Sequence, residues 1–139
     1  MSMYHTVSNN LEQVERVKKI IEVVKLSYKI EFSSEWLSWK GTKQRLDFFI
    51  EWKRHYLTLE LKTQMKKPGT AIYDKFPSVL LDANILRSFN VDFWLVLNKP
   101  LLSRQGILAT EAIESRGLKI VYEQDLFSAL NLWKKETLI

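Results

Sequence analysis

Cysteine is absent from this chain of 139 residues, and histidine occurs only twice, as His5 and His55. The absence of cysteine excludes disulfide bonds, thiolate catalysis and zinc sites built on cysteine. Because the two histidines lie far apart in the sequence, a histidine-rich metal site is also a poor fit. We therefore expect that any metal ion bound by this chain is held by oxygen ligands.

Long apolar runs are missing as well. No apolar stretch approaches the roughly 20 residues that a membrane-spanning helix needs, and residues 1–10 lack the apolar core of a signal peptide. No repeat, low-complexity segment or linker-like change of composition divides the sequence. These absences predict one domain over residues 1–139, a cytoplasmic location and no membrane partner.

The composition that remains is typical of a globular protein with a basic surface. Hydrophobic residues make up 46% of the chain and aromatic residues 12%, which is enough for one real core. Lysine and arginine number 21 against 16 aspartates and glutamates, a formal net charge of +5. This excess favours a polyanionic partner such as nucleic acid, although the charge alone does not identify one.

The spacing of apolar residues predicts an α/β fold with helices packed on a mixed sheet. An amphipathic helix is predicted from Asn10 onward, with Asn9 or Asn10 as its N-cap, and residues 28–32 are compatible with a strand. The second half alternates short buried strands with helices. After the first helix, the predicted elements are strands at 36–39, 46–52 and 56–63, a helix at 76–89 opened by Pro77, a strand at 91–98, a helix at 110–117 closed by Gly117, a strand at 118–122 and a helix at 123–135.

Two of these strands carry charges inside their apolar runs, in the segment RLDFFIEWKRHYLTLELKTQ. Side chains alternate between the two faces of a strand, so Glu60 and Lys62 point the same way. In an antiparallel pair, Asp47 shares their face if facing residue numbers add up to 107, which sets it opposite Glu60, or to 109, which sets it opposite Lys62. A two-residue turn at Lys53-Arg54 gives 107 directly, whereas an even sum separates the charges.

Two carboxylates that face each other repel, and partial burial raises the cost further unless a cation lies between them. Carboxylate oxygens suit Mg²⁺ or Mn²⁺, and Mg²⁺ takes one or two protein carboxylates and completes its shell with water and phosphate oxygens. Asp47 and Glu60 are therefore candidate metal ligands, and the backbone carbonyl of Leu61 is a candidate third ligand. Lys62 is a candidate for orienting an attacking water and for stabilising the transition state of phosphodiester hydrolysis.

The arrangement of Asp47 ahead of Glu60-Leu61-Lys62, on the second and third strands after an N-terminal helix, resembles the PD-(D/E)xK nuclease superfamily of restriction endonucleases and Holliday-junction resolvases. The order of the predicted elements is similar to the αβββαβ core of these restriction-endonuclease-like proteins. The C-terminal helix, strand and helix are similar to their closing elements, so the resemblance covers nearly the whole chain. Leu46 stands where the family motif has proline, a common departure that changes little in the mechanism.

The resemblance implies a metal-dependent DNA endonuclease with the three charged motif residues as its catalytic residues. Family members often add a glutamate from the first helix, and Glu12 and Glu15 are the candidates here, ahead of Glu22. Basic residues in the turns that flank the motif are candidates for DNA phosphate contacts. They are Lys40, Lys43, Arg45, Lys66 and Lys67.

The expected substrate is double-stranded or branched DNA. A homodimer is expected, because cutting two strands with one centre per chain calls for two centres. Restriction, homing and junction resolution all stay open, since no groove-reading element is recognisable. A simpler interpretation also stays open, because a Glu-x-Lys pattern on a strand is commonly a solvated ion pair that contributes a few tenths of a kcal/mol. The chain would then be a nuclease-fold module that binds DNA or takes part in an assembly without chemistry.

Overall fold

The computed structural model describes residues 2–34, 44–62, 70–100 and 102–136. The described residues form a helix, three strands, a helix, a strand, a helix, a strand and a helix, in the predicted order, with the first strand at the segment marked as compatible with a strand at 28–32. The elements are α1 (Ser2–Val24), β1 (Ser27–Ser34), β2 (Gln44–Trp52), β3 (His55–Lys62), α2 (Thr70–Ser88), β4 (Val91–Leu97), α3 (Arg104–Ser115), β5 (Lys119–Tyr122) and α4 (Glu123–Glu136). Within these ranges, no helix combines the length and the apolar composition that crossing a membrane requires.

The strands form one mixed sheet of five strands in the order β1-β2-β3-β4-β5. β2 pairs antiparallel with both β1 and β3, whereas β4 pairs parallel with both β3 and β5. Parallel neighbours need a crossover connection, and α2 and α3 provide the two connections. The predicted mixed sheet flanked by helices is therefore confirmed. β3 lies at its centre, where the antiparallel half meets the parallel half.

Two hydrophobic cores cover the two faces of the sheet. One core joins α1 and α4 to the sheet, and its buried residues include Val17, Ile21, Phe48, Ile50, Leu57, Leu59, Leu126 and Leu130. The other joins α2 and α3 to the opposite face, and its buried residues include Val79, Ala83, Leu86, Phe93, Leu95, Ala109 and Ile113. β4 contributes to both cores, as expected for a nearly continuous apolar strand that is covered on both faces.

A two-residue turn, Lys53-Arg54, joins β2 to β3, as predicted. Both residues have positive φ, 48° and 68°, which is the signature of the type I′ turn that matches the twist of the two strands. Asparagine and glycine are favoured in this turn, because other residues lose roughly 1–2 kcal/mol each in the left-handed region. The hairpin therefore carries local strain at a turn made of two cations.

Three helices begin earlier than the sequence predicts, and α1 and α2 are the first two of them. α1 begins at Ser2 and runs through Asn9 and Asn10, which do not cap it. An asparagine inside a helix destabilises the helix by only about 0.7 kcal/mol, so the neighbouring residues decide where α1 begins. α2 begins at Thr70, and Pro77 lies inside the helix instead of opening it, at the expense of one backbone N–H donor.

The remaining boundaries follow local signals. β1 covers the segment that the sequence marks as compatible with a strand, whereas the strand predicted at 36–39 falls outside the described residues. α3 begins at Arg104, before the predicted start, because the Ser103 hydroxyl caps it by accepting a hydrogen bond of 3.0 Å from the N–H of Gly106. Gly117, with φ of 88°, follows the end of α3 as predicted.

Candidate active site

The candidate active site lies at the end of β3, on the sheet face that α2 and α3 cover. Leu57, Leu59 and Leu61 belong to the core beneath α1 and α4. Because strand side chains alternate, Glu60 and Lys62 point to the opposite face. The strand thus directs its apolar residues to one core and its charged residues to the other side of the sheet.

The hairpin register sets Asp47 opposite Glu60. Phe48 pairs with Leu59 in the antiparallel ladder, so the numbers of facing residues add up to 107. The ladder ends at that pair, and its register continued by one position brings Asp47 to Glu60, on the face that also carries Lys62. The register predicted from the two-residue turn is therefore confirmed.

The backbone of β3 holds the Asp47 side chain. Asp47 Oδ2 accepts a hydrogen bond of 2.8 Å from the N–H of Leu61. The ladder between β2 and β3 extends to the pair of Phe48 and Leu59. Beyond that pair, the Asp47 carboxylate accepts the hydrogen bond that the N–H of Leu61 would otherwise donate to a backbone carbonyl of β2. Because the N–H and C=O of one strand residue point to the same side, the carbonyl of Leu61 also faces Asp47's strand.

Glu60 and Lys62 form an ion pair in which Lys62 Nζ lies 3.3 Å from Glu60 Oε1. The Glu60 side chain is 20% exposed and that of Lys62 27% exposed, so solvent reaches the pair only partly. Burial of the carboxyl and the negative charge of Asp47 raise the pKa of Glu60 to about 7, against the lowering effect of Lys62. At neutral pH a proton therefore competes with any cation for this carboxylate.

A third acidic residue, Asp82 of α2, lies close enough to Glu60 to contribute to the rise of its pKa. Asp82 is half-buried and was not among the residues singled out from the sequence. Its position carries a signal, since it lies three residues after Val79 and four before Leu86, both of which are buried in the core of this face. A charged residue on the buried stripe of a helix is the pattern that identifies it.

Gln13 of α1 is the second contributor that the sequence did not single out. Its side chain is fully buried, and Nε2 donates hydrogen bonds to the carbonyls of Lys62, at 3.1 Å, and Val96, at 3.4 Å. The amide therefore joins α1 to the ends of β3 and β4. The available signal is again spacing, because Gln13 precedes the buried Val17 by one helical turn.

Glu12 and Glu15, the two candidates from α1, lie on the surface of that helix. Both are exposed, and together with Leu11 and Arg16 they line an open groove of about 390 Å³. Arg16 is paired with Glu123 at the start of α4, with its Nε 2.7 Å and its Nη2 3.2 Å from the two carboxylate oxygens. Among the described residues, the charges that shift the pKa of Glu60 come from Asp47, Lys62 and Asp82, and not from Glu12 or Glu15.

The basic residues proposed for DNA contacts fall mostly outside the described ranges. Lys40, Lys43, Lys66 and Lys67 lie between residues 35 and 43 or between 63 and 69, which the structure does not describe. Arg45 lies in β2, where its backbone pairs with Ser33 of β1. These two undescribed segments adjoin β2 and β3 at the end that carries Asp47, Glu60 and Lys62.

The donor set at this strand end fits a hard divalent cation. Asp47 lies close enough to Glu60 for its charge to raise the pKa of Glu60, and the N–H of Leu61 donates to Asp47 Oδ2. Two carboxylates and a carbonyl, completed by water and phosphate oxygens, suit Mg²⁺ or Mn²⁺. Within the described parts of the chain, no group of three or more His, Cys, Asp or Glu residues is arranged to hold a metal ion, so a site here depends on two carboxylates.

No protein-family model and no curated protein matches this sequence. Solved structures do share its fold. An XisH family protein from Nostoc punctiforme is 16% identical, with a TM-score of 0.55, over 78% of this chain and 88% of its own. A protein described as an fdxN element excision controlling factor, from Anabaena variabilis, is 17% identical, with a TM-score of 0.54, over 78% of this chain and 86% of its own.

A longer protein has the same fold in part. Protein VC1899 from Vibrio cholerae is 19% identical, with a TM-score of 0.53, over 87% of this chain but only 32% of its own. The present chain therefore spans about a third of the length of the Vibrio cholerae protein. At these identities the likeness shows a common fold.

Proposed function

We propose that this protein is a metal-dependent DNA endonuclease that hydrolyses phosphodiester bonds with Asp47, Glu60 and Lys62. The observation that carries the proposal is the hairpin register, which brings Asp47 to the face of Glu60, with the Lys62 ammonium 3.3 Å from the Glu60 carboxylate. Facing carboxylates at the end of a strand lower stability, so they are an unfavourable choice for a purely structural surface. The resemblance to PD-(D/E)xK nucleases supports the same activity.

Each residue has its own task in this proposal. Asp47, which the N–H of Leu61 orients, would hold the cation together with Glu60 and the Leu61 carbonyl. Bound Mg²⁺ supplies positive charge to the scissile phosphate and favours deprotonation of the attacking water. Lys62 would donate a hydrogen bond to that water and stabilise negative charge on the phosphoryl oxygens. Gln13, through the carbonyl of Lys62, keeps the end of β3 in place.

Double-stranded or branched DNA is the proposed substrate, and a homodimer in the cytoplasm is the proposed active form. The net charge of +5 supports a polyanionic ligand. A dimer is proposed because the described residues of each chain hold one such cluster, and cutting both strands of a duplex or junction calls for two centres. The basic residues next to β2 and β3 stay candidates for phosphate contacts.

A second candidate is a nuclease-fold module that binds DNA or a partner protein without cleavage. The Anabaena variabilis structure is described as an excision controlling factor, and control of excision does not require the controlling protein to cut DNA. The ion pair between Lys62 and Glu60 also has a purely structural interpretation. Cleavage assays separate the two candidates directly.

The test is incubation of the chain with supercoiled plasmid and with a Holliday junction, in Mg²⁺, in Mn²⁺ and in EDTA. We expect cleavage with either metal, none in EDTA and none for Glu60→Gln. Glu51→Gln is the matched control, since it removes the same charge from an exposed position of β2, and we expect it to cleave at the wild-type rate. Cleavage that persists in Glu60→Gln would contradict the proposal. Binding without cleavage under every condition would favour the second candidate.

A further inference from the structure

Positive φ angles occur at three basic residues in the part of the chain that the structure describes. Two of the left-handed positions, Asn90 and Gly117, follow helices and carry residue types that tolerate the conformation. The other left-handed residues among those described are Lys25, Lys53 and Arg54, with φ of 62°, 48° and 68°. Lysine and arginine are disfavoured there because Cβ approaches the neighbouring backbone. Cations therefore stand at positions where smaller residues would relieve strain.

The C-terminal end of α1 is the clearest example of a lysine at a left-handed position. The N–H of Lys25 bonds to the carbonyl of Glu22 at 3.1 Å, and the N–H of Leu26 bonds to the carbonyl of Ile21 at 3.4 Å. This pair of bonds is a Schellman motif, in which the left-handed residue is usually glycine. α3 ends in the same motif with Gly117 at the equivalent position. At the end of α1, the chain keeps a lysine instead.

A fourth cation, Lys134 of α4, connects these positions in space. Its Nζ donates a hydrogen bond of 2.9 Å to the carbonyl of Val24, the residue before Lys25, and lies 4.2 Å from the ring centre of Trp52. Lys53 Nζ lies 5.5 Å from the same ring. The surface formed at this end of the sheet is named the basic corner, and it consists of Lys25, Lys53, Arg54 and Lys134.

Several acidic residues near the basic corner are engaged by other groups or point away. Glu22 accepts a hydrogen bond of 2.7 Å from the Tyr28 hydroxyl, and Asp92 accepts one of 2.9 Å from the indole N–H of Trp133. Glu51 precedes Trp52 in β2, so its side chain points to the opposite face of the sheet. Three cations of the corner, Lys25, Lys53 and Arg54, are exposed, and Lys134 is half-buried.

We propose that the basic corner binds the phosphate backbone of nucleic acid, as a contact surface separate from the candidate active site. From His55, next to the turn, to Glu60 the chain is fully extended, so the two regions lie roughly 17 Å apart along β3. This distance is about five base-pair steps of duplex DNA. Exposed lysine and arginine side chains on fixed backbone contact phosphates without reading sequence. The proposal concerns binding alone and holds whether or not the chain cleaves DNA.

An anionic membrane is the other polyanion that a basic surface attracts. Basic surfaces that bind membranes usually add aromatic or aliphatic side chains that enter the lipid interface. The aromatic residue of this corner, Trp52, is half-buried, with the cations Lys53 and Lys134 near its ring. The Trp52 ring therefore packs near the cations instead of projecting toward a lipid interface. Nucleic acid fits this surface better than a membrane does.

The double variant Lys53→Asn/Arg54→Gly separates the charge of the corner from the stability of the fold. It removes two cations and installs the Asn-Gly pair that a type I′ turn favours, so the melting temperature should be unchanged or higher. We expect its affinity for a fluorescent DNA duplex, measured in EDTA at about 50 mM salt, to fall roughly tenfold. The slope of log affinity against log salt should become shallower by about 2.

The charge-matched control is Arg116→Gln/Lys119→Gln, which removes two exposed cations at the connection between α3 and β5. We expect its affinity to fall about twofold at most. Equal losses in the two double variants would overturn the proposal, because net charge alone would then explain binding. Failure of the wild-type chain to bind the duplex would also overturn it. Binding to anionic phospholipid vesicles in place of DNA would assign the surface to a membrane instead.

Discussion

The two faces of β3 differ sharply within a single strand. Leu57, Leu59 and Leu61 are buried beneath α1 and α4, with exposed fractions of 0%, 0% and 3%. The side chains between them point to the other face, where Thr58 has a buried hydroxyl and Glu60 and Lys62 form an ion pair. The neighbouring strand β4 carries one charged residue, the exposed Asp92, and its five following residues are apolar and buried on both faces. The difference is consistent with the proposed role of the charged face of β3, which would come at some loss of stability.

The largest effect is expected from Asp47→Asn, which removes the negative charge of this side chain and keeps the shape of the side chain. The asparagine carbonyl can still accept the hydrogen bond from the N–H of Leu61, so the fold should survive. Loss of the carboxylate should reduce the rate of DNA cleavage at least about 1000-fold, a rise of roughly 4 kcal/mol in the barrier. Single-turnover cleavage in Mg²⁺ measures this rate, and a variant as fast as wild type would exclude Asp47 from the site.

On the apolar face, Leu59→Ala should lower the free energy of unfolding by about 3 kcal/mol, because it opens a cavity in a fully buried core. Urea denaturation measures the change. Thr58→Val is the paired control on the polar face, since it replaces a buried hydroxyl that has no hydrogen-bond partner among the described residues. That exchange should leave stability unchanged or raise it. Destabilisation of equal size by both variants would show that the two faces are energetically alike.

Lys62→Ala should reduce the cleavage rate at least about 100-fold, roughly 2.7 kcal/mol in the barrier, with DNA affinity nearly preserved. Lys62→Arg should restore little of the rate, since a planar guanidinium replaces a compact ammonium. The same single-turnover assay at saturating Mg²⁺ compares the three proteins. If Lys62 served only its ion pair with Glu60, the alanine variant would cleave at the wild-type rate and lose only a few tenths of a kcal/mol in stability.

The smallest effect is a pH dependence of stability caused by Glu60. Its pKa is about 7 in the folded protein and has an ordinary value of 4.5. Between these values the folded state binds more protons than the unfolded state, so the free energy of unfolding should fall as pH rises from about 4.5 to about 7. At pH values above about 7, the total decrease in the free energy of unfolding should be on the order of 2 kcal/mol. Denaturation of wild type and Glu60→Gln across this range measures it, and parallel curves would contradict the assignment.

Local rules were enough to predict the hairpin and its polar face. A two-residue turn leaves one register for β2 and β3, and strand alternation then assigns the faces, so the relation of Asp47 to Glu60 follows from the sequence. The alternation of strands and helices in the second half followed from apolar periodicity in the same way. These features depend on residues that are close in the sequence.

Features that depend on distant residues were not predicted. Gln13 bonds to carbonyls 49 and 83 positions away along the chain, and nothing in its own helix identifies those partners. Asp82 comes close enough to Glu60 to affect its pKa because α2 packs on β4, the strand next to β3. Helix starts were wrong for a different reason, since Asn10 and Pro77 are weak or ambiguous boundary signals that the surrounding helix overrides.

The tight turn of the hairpin also bears on the order of folding. Closing a two-residue connection requires little loss of chain entropy, and hairpins form in roughly 1–10 μs, whereas the parallel pairing of β3 with β4 must wait for the α2 crossover. Asp47 and Glu60 should therefore meet in the transition state for folding, before the parallel half of the sheet exists. φ-values measured with Ile50→Val in the hairpin should exceed those measured with Val121→Ala in β5. The residues proposed for catalysis would then be assembled by the part of the chain that folds first.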